Sequence, residues 1–139
     1  MPSVKKQAKE KLLQSGEKIL VMDDDLAILK IATQMLDIMG FKTETATNGQ
    51  EAVALYQKAL KDGRPFGAVL LDLTIPGGMG GKETVKQLVH IDPEVKAIVS
   101  SGYSNDPIMA DYKSFGFSSV VSKPYDIEKL GEALRVFFC

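Results

Sequence analysis

Four short apolar runs without alternating polarity limit what this chain can fold into more than any other feature. They are rich in β-branched residues and leucine, and they occupy residues 19–22, 68–71, 95–99 and 119–122. Strands covered on both faces, as in a parallel sheet between two helical layers, have this composition. A fifth run, Phe41–Ala46, carries Lys42 and Glu44 on one side and fits a more exposed edge strand. The sequence therefore predicts five strands.

Segments with apolar residues at helical spacing separate these runs. The first is bounded by Gly40 and has an apolar stripe of Ile28, Ile31, Ala32, Met35, Leu36 and Met39. The others are predicted from Asn48 or Gly49 to before Gly63, over Lys82–His90, from Asp106-Pro107 to near Gly116, and over residues 127–138. Glycine, proline and capping residues at the boundaries support these limits.

Strict alternation of strands and helices with short connections predicts right-handed crossovers. The expected fold class is a doubly wound α/β domain, flavodoxin-like, with a five-stranded parallel sheet, strand order 2-1-3-4-5 and helices on both faces. A chain of 139 residues suffices for one such domain and is too short for two ordinary ones. We assign residues 18–139 to this domain and residues 1–17 to a polar, lysine-rich leader. A frayed, solvated arm is the preferred interpretation of the leader, and the tail of an upstream linker helix is the alternative.

Composition excludes several classes of function. The chain has 17 Lys and Arg residues against 18 Asp and Glu residues, a formal net charge of -1, so it lacks the basic field that nucleic-acid binding requires. Its single cysteine, Cys139, provides neither a disulfide framework nor a thiolate metal site within the chain. No apolar run approaches the length of a membrane span, and the leader has no signal-peptide core. We expect a cytoplasmic protein that binds neither nucleic acid nor membrane.

Polar residues follow the predicted strands at their carboxyl ends. Three aspartates, Asp23–Asp25, follow the first strand, Asp72 follows the third, Ser101 the fourth and Lys123 the fifth. Each has an ordinary explanation as a helix cap or a strand end. Together they meet at one edge of the sheet, where ligands bind in this fold class. Clustered carboxylates in a partly dry cleft repel one another, so either a cation binds or their pKa values rise.

A hard divalent cation meets that requirement. Two carboxylates and water are the usual protein share of a Mg²⁺ site that leaves positions for phosphate oxygens. Lys123 adds a compact positive charge, and Ser101 adds a hydroxyl donor. The sequence contains no Walker A loop, no dinucleotide fingerprint and no zinc-ligand set. We therefore expect the phosphoryl group to attach to the protein itself, with Asp72 as the candidate nucleophile.

These residues resemble those of a known family, the receiver domain of two-component response regulators. Ile-Leu-Val-Met-Asp-Asp-Asp, Leu-Leu-Asp-Leu-Thr-Ile-Pro, Ser-Ser-Gly and Ser-Lys-Pro occur in the family's order and spacing. The resemblance implies that Asp23 and Asp24 help to hold Mg²⁺, that Asp72 is the phosphoacceptor, and that Thr74 supplies a backbone carbonyl to the metal. It also implies that Ser101 and Lys123 bind the phosphoryl group, which a sensor histidine kinase would donate. Asp25 matches no family role, and capping is its best interpretation.

The sequence departs from the commonest family pattern at one loop and one strand. The loop Pro76–Gly81 is one residue longer and has Gly80 where an acidic residue is usual, so we expect higher mobility. Val120 stands at the switch position, which is often aromatic. Tyr103, two residues beyond Ser101, is expected to shield the acyl phosphate from water and to slow its hydrolysis.

The resemblance implies an output through protein contacts. The expected partner is a downstream protein or a second receiver copy, bound at the face of helix 4, strand 5 and helix 5 with Ile108 and Tyr112 as contacts. Both a stand-alone receiver and the C-terminal receiver of a hybrid sensor kinase are compatible with the sequence.

His90 is interpreted as an ordinary surface or half-buried residue. A separate-substrate enzyme is not expected. The alternatives are a Mg²⁺-dependent phosphatase or phosphotransferase acting through an aspartyl phosphate, which lacks a lid here, and a receiver-like binding module that is never phosphorylated.

Overall fold

The structure, a computed structural model, describes residues 17–102 and 106–138. The strands are β1 (Lys18–Met22), β2 (Lys42–Ala46), β3 (Ala68–Asp72), β4 (Ala97–Ser101) and β5 (Ser119–Ser122). The helices are α1 (Leu26–Ile38), α2 (Gly49–Lys61), α3 (Gly81–Ile91), α4 (Pro107–Ala110) and α5 (Ile127–Phe138). None of the helices described is long and apolar enough to cross a membrane. Tyr103 and all of the predicted leader except Glu17 lie outside the described residues.

The five strands form one parallel sheet with the order β2-β1-β3-β4-β5, which confirms the predicted fold class. The register pairs Met22 with Leu71, Asp72 with Ser100, and Ser101 with Ser122. The carboxyl ends of the four strands β1, β3, β4 and β5 are therefore level. Residues that end or follow these strands share one edge of the sheet.

Both faces of the sheet are covered by helices. On one face, Leu20, Leu71 and Val99 pack with buried residues of α2 and α3. On the other face, Val21 and Leu70 pack with buried residues of α1 and α5. Strand residues that point to either face are buried, which explains the apolar runs without alternating polarity. The exceptions are the two edge strands: Val120 and Ser122 of β5 are half-buried, and Lys42 and Thr45 of β2 are exposed. The alternation predicted for β2 holds only in part, because Glu44 is half-buried and the exposed Thr45 lies on the opposite face from Lys42.

The prediction of one continuous fourth helix is wrong. Asp106 caps α4 by accepting a hydrogen bond from the backbone N–H of Ile108 at 3.0 Å, but α4 ends at Ala110. At Asp111 the backbone leaves helical geometry, and its carboxylate accepts a hydrogen bond from Ser114 Oγ at 2.8 Å. Asp111 thereby starts a separate 3-10 turn, Tyr112–Phe115, which ends at Gly116 as predicted.

Two smaller predictions also differ from the structure. Ile31 is 45% exposed, because the buried stripe of α1 runs through Leu29, Ala32 and Leu36. Strand β4 begins two residues later than the predicted run, at Ala97. The backbone N–H of Val95 donates to Asp92 O in a turn, so this part of the run is used to leave α3. The strand ends at Ser101.

Candidate functional site

Three carboxylates gather at the carboxyl edge of the sheet. Asp23 and Asp24 follow β1, and Asp72 ends the neighbouring strand β3. One oxygen from each of the three lies within 4.8 Å of the others. Asp23 and Asp72 are buried, with 1% and 5% of their surface exposed, whereas Asp24 is exposed. The structure thus brings together the three carboxylates predicted to bind a metal.

Asp25 orients this cluster without joining it. Its carboxylate caps α1 by accepting from the N–H of Ala27 at 2.9 Å, which confirms its interpretation as a cap. Its own backbone N–H donates to Asp23 Oδ1 at 2.9 Å. The first turn of α1 therefore fixes the Asp23 carboxylate at the edge of the sheet.

Lys123 reaches the cluster from the loop after β5. Its Nζ atom lies 2.6 Å from Asp23 Oδ2 and 3.2 Å from Asp72 Oδ1. The backbone N–H of Lys123 donates to Ser101 O at 3.0 Å, which extends the pairing of β4 and β5 by one step. The Lys123–Pro124 peptide bond is cis. One ammonium group thus bridges two buried carboxylates on neighbouring strands.

The site carries more negative than positive charge. Burial raises the pKa of Asp72 to about 6, repulsion from Asp23 adds to this, and Lys123 offsets part of it. Burial alone would lower the pKa of Lys123, but Asp23 and Asp72 raise it above its usual value. Lys123 therefore stays protonated, while Asp72 holds its charge against an unfavourable environment.

The donor atoms of this cluster fit a magnesium ion. All are carboxylate oxygens, the ligands preferred by hard divalent cations. Asp23 Oδ2 is buried and accepts no hydrogen bond from the described part of the chain; its contact with Lys123 is an ion pair. Thr74 lies two residues beyond Asp72 in the exposed start of the next loop. Asp23, Asp24 and Asp72 are therefore suited to a divalent cation.

The serines at the end of β4 have different surroundings. Ser101 is buried at the last position of β4 and pairs in register with Ser122. Ser100 is also buried, and its hydroxyl shares a hydrogen bond with the hydroxyl of Tyr125, in which either oxygen can be the donor. Sequence reasoning missed Tyr125. The one local signal is its place two residues after Lys123, and no pattern in the sequence connects it with Ser100.

The loop Pro76–Gly81 lies tightly against the end of β3. A Cβ atom at Gly80 would come within 2.5 Å of Leu73 O, and one at Gly81 within 2.8 Å of Asp72 O. The backbone N–H of Gly49 donates to Met79 O at 2.8 Å and ties the loop to α2. This close approach explains why glycine occupies position 80. The expected higher mobility of the loop stays a prediction.

The remaining predicted positions lie outside the carboxylate cluster or outside the described residues. Val120 pairs in register with Val99, is half-buried and packs against the α2 and α3 face of the core. Ile108 and Tyr112, the expected partner contacts, are also partly buried against that core. The roles assigned to Val120 and to Tyr103 stay predictions. His90 is exposed on α3, in agreement with its interpretation as a surface residue.

Comparison with known proteins decides among the classes that this geometry permits. Residues 19–135 match the response regulator receiver domain. The chain belongs to this family. A sporulation initiation phosphotransferase F from Bacillus subtilis is 31% identical to it over 88% of this chain and 94% of that protein. The chemotaxis protein CheY of Thermotoga maritima is 28% identical over 86% of this chain and 96% of that protein.

Solved structures of receiver proteins share the fold. CheY in a CheX-CheY-BeF3-Mg complex from Borrelia burgdorferi superposes with a TM-score of 0.79 at 27% identity, over 87% of this chain and 89% of that chain. CheY4 of Vibrio cholerae gives a TM-score of 0.78 at 26% identity, over 88% and 99%. The protein is a receiver domain of two-component phosphorelay signalling, a signalling module and not a separate-substrate enzyme. The phosphatase and binding-module alternatives are not favoured.

Proposed function

We propose that Asp72 accepts a phosphoryl group from the phosphohistidine of a sensor histidine kinase. The observation that carries this proposal is the contact of one ammonium group, Lys123 Nζ, with Asp72 Oδ1 at 3.2 Å inside a cluster of carboxylates. Asp72 is the central member, since it ends β3 between the strands that carry Asp23 and Ser101. A buried carboxylate whose charge is poorly compensated is suited to becoming an acyl phosphate.

The transfer requires no redox chemistry. An oxygen of the Asp72 carboxylate attacks phosphorus, a P–O bond forms, and the P–N bond to the donor imidazole breaks. The electron pair of that bond returns to the imidazole, which takes up a proton as needed. The product is a mixed anhydride on Asp72, and its later hydrolysis by water releases inorganic phosphate and restores the carboxylate.

Each nearby residue has a proposed role in this step. Asp23, Asp24, Asp72 and the backbone carbonyl of Thr74 would hold Mg²⁺. Bound there, Mg²⁺ supplies positive charge that offsets the repulsion between the carboxylates and the phosphoryl oxygens. Lys123 and the hydroxyl of Ser101 are proposed to bind the transferred group, because they are donors that can follow its added charge of about -1.5 to -2.

The output is proposed to be a contact with another protein. Between α4, β5 and α5 lies a groove of about 460 Å³, lined among others by Met109, Val120, Lys129 and Glu132. A downstream protein or a second receiver copy that reads this face would sense movement of β4 and β5 at the site. Because the proposed donor is a kinase phosphohistidine, we also propose that the reaction takes place in the cytoplasm.

Mass spectrometry of the intact protein tests the central step. The wild type is incubated with a small phosphodonor such as acetyl phosphate in Mg²⁺, and in a chelator. We expect a phosphoryl mass increment in Mg²⁺ and none in the chelator, because without the cation the donor is repelled by three carboxylates. Asp72→Asn is expected to show no increment under either condition.

Asp62→Asn is the matched control, since Asp62 caps the C-terminus of α2 and is exposed. It should be labelled like the wild type. Labelling of Asp72→Asn at the wild-type level, or labelling in the chelator, contradicts the proposal.

A further inference from the structure

A pair of hydroxyl groups lies buried next to the site and has no part in the chemistry described so far. Ser100 is 0% exposed and Tyr125 is 9% exposed. Their hydroxyls share a hydrogen bond between positions that are 25 residues apart in the chain. Burying two hydroxyls has a desolvation cost that a phenylalanine and an alanine would avoid. Their pairing therefore requires a reason beyond filling the core.

The pair lies on the same face of the sheet as the carboxylates. Asp72 and Ser100 are paired in register, and neighbouring residues of paired strands point to the same face. Tyr125 belongs to the core on that face, with buried residues of α1 and α5. Burial raises the pKa of the Tyr125 hydroxyl above its usual range, and the charges of Asp23 and Asp72 raise it further. The hydroxyl is thus neutral and close enough to these carboxylates to sense their charge.

Tyr125 and Lys123 are attached to the same strand from either side of Pro124. The backbone N–H of Lys123 donates to Ser101 O at 3.0 Å, and the Tyr125 hydroxyl shares a hydrogen bond with the Ser100 hydroxyl. These two attachments to consecutive residues of β4 fix the turn from which the Lys123 side chain extends. A lysine side chain has four rotatable bonds, so its backbone must be held for Nζ to stay against both carboxylates.

We infer that Tyr125 is a positioning residue for Lys123, acting through the hydrogen bond between its hydroxyl and that of Ser100. This inference rests on the proposed function, in which Lys123 binds the phosphoryl group on Asp72. The bond connects the turn that carries Lys123 to the strand that carries Ser101. The two donors proposed for the phosphoryl group therefore keep a fixed spacing relative to Asp72.

The molecule offers a matched control in a second buried tyrosine. Tyr56 in α2 is 2% exposed, and its hydroxyl donates to Asp92 Oδ2 at 2.7 Å. Asp92 follows the C-terminal end of α3, away from the carboxyl edge of the sheet. Tyr56→Phe therefore removes one buried, hydrogen-bonded hydroxyl, as Tyr125→Phe does, but at a place remote from Lys123.

The test compares Tyr125→Phe, Ser100→Ala, their double variant and Tyr56→Phe with the wild type. The initial rate of Asp72 labelling by acetyl phosphate in saturating Mg²⁺ is measured by intact-mass spectrometry, and the Lys123 Nζ resonance by NMR of ¹⁵N-lysine-labelled protein. Loss of one hydrogen bond predicts a rate about three- to tenfold lower in each single variant at the site. The double variant should be no slower than the singles, and the Lys123 resonance should shift in all three. Tyr56→Phe should keep the wild-type rate and resonance.

Each outcome decides a separate question. A wild-type rate and an unshifted Lys123 resonance in Tyr125→Phe overturn the positioning role, as does an equal slowing in Tyr56→Phe. If the wild type itself is not labelled, the proposed function fails, and the Lys123 resonance still decides whether Tyr125 positions Lys123. Should Tyr125→Phe not fold, Ser100→Ala removes the same bond and gives the same answer.

Discussion

Ion pairs lie at both ends of the sheet, and their surroundings differ. At the amino end of the strands, Lys18 Nζ lies 2.9 Å from Glu44 Oε2, and the side chains are 34% and 40% exposed. At the carboxyl end, Lys123 contacts Asp23 and Asp72, and the side-chain exposures are 15%, 1% and 7% respectively. The first pair matches one charge with one charge in water. The second places one ammonium against two buried carboxylates, with the exposed carboxylate of Asp24 beside them.

The two ends of the sheet therefore differ in whether the negative charges are balanced by positive charges. A solvated pair such as Lys18–Glu44 contributes little to stability. In the buried cluster the ammonium group offsets only part of the burial and repulsion, and the pKa of Asp72 still rises to about 6. The excess negative charge at the carboxyl edge thus lowers the free energy of unfolding. That excess is what a divalent cation would relieve.

Magnesium should produce the largest change in stability at the carboxyl edge. Binding to the folded state alone stabilises a protein by about 2.7 kcal/mol when the cation is present at 100 times its Kd. We expect urea unfolding at pH 7 to show an increase of this order for the wild type and for Lys18→Ala. Asp23→Asn should lose most of the increase. An equal increase in Asp23→Asn would place the cation elsewhere.

Removing one carboxylate should have the next largest effect. In a chelator at pH 7, Asp72→Asn is expected to raise the free energy of unfolding. The folded-state pKa of Asp72 rises from 3.8 to about 6. The folded protein therefore binds more protons between these values, and stability falls as pH rises from about 4 to about 6.

At about 1.4 kcal/mol per pKa unit, the upper limit of this effect is about 3 kcal/mol, and we expect about 1–2 kcal/mol because the site is partly open to water. The gain of Asp72→Asn should be complete above pH 6 and should disappear below pH 4, as measured by urea unfolding across pH. A loss of stability at pH 7 would mean that the pairing with Lys123 outweighs the repulsion.

The smallest effect is expected at the amino end of the sheet. Glu44→Gln should change the free energy of unfolding by less than about 0.5 kcal/mol, because the ion pair is partly solvated. Lys18→Ala also removes the contact of Lys18 Nζ with the Phe66 ring at 5.5 Å and should cost no more than about 1 kcal/mol. A double-mutant cycle in low and high salt measures the coupling, which salt should weaken further. A salt-resistant coupling above about 1 kcal/mol would remove the contrast between the two ends.

The sequence was sufficient to locate the strands and the charged residues that gather at their carboxyl ends, because local patterns mark both, and the sheet order followed from the fold class that the alternation of strands and helices indicates. Apolar runs marked the strands, and the polar residues after them met at one edge, as parallel topology requires. The broken fourth helix was not visible, since Pro107 and Gly116 gave correct start and stop signals around Asp111, whose side chain opens a separate turn.

Contacts between distant parts of the chain were beyond prediction from a single sequence. The Ser100–Tyr125 bond depends on where the loop after β5 places an aromatic ring against β4. The close packing of Gly80 against Leu73 O likewise depends on the path of a loop. The sequence shows a glycine in place of an acidic residue, whereas the steric reason lies in the approach of the loop to Leu73 O.

The positions of the site residues along the chain determine the order in which they are synthesised. Asp23, Asp72 and Lys123 come from the first, third and fifth strands, and β1 pairs with β3 only after the intervening β2 and α2 have been synthesised. A nascent chain that has emerged only as far as β3 contains both buried carboxylates and lacks the lysine that bridges them. The ammonium group follows the last strand, so pairing of β1 with β3 before that point would bring the two carboxylates together without the lysine that offsets part of their repulsion. All three charged groups are therefore present only after the last of the five strands has been synthesised.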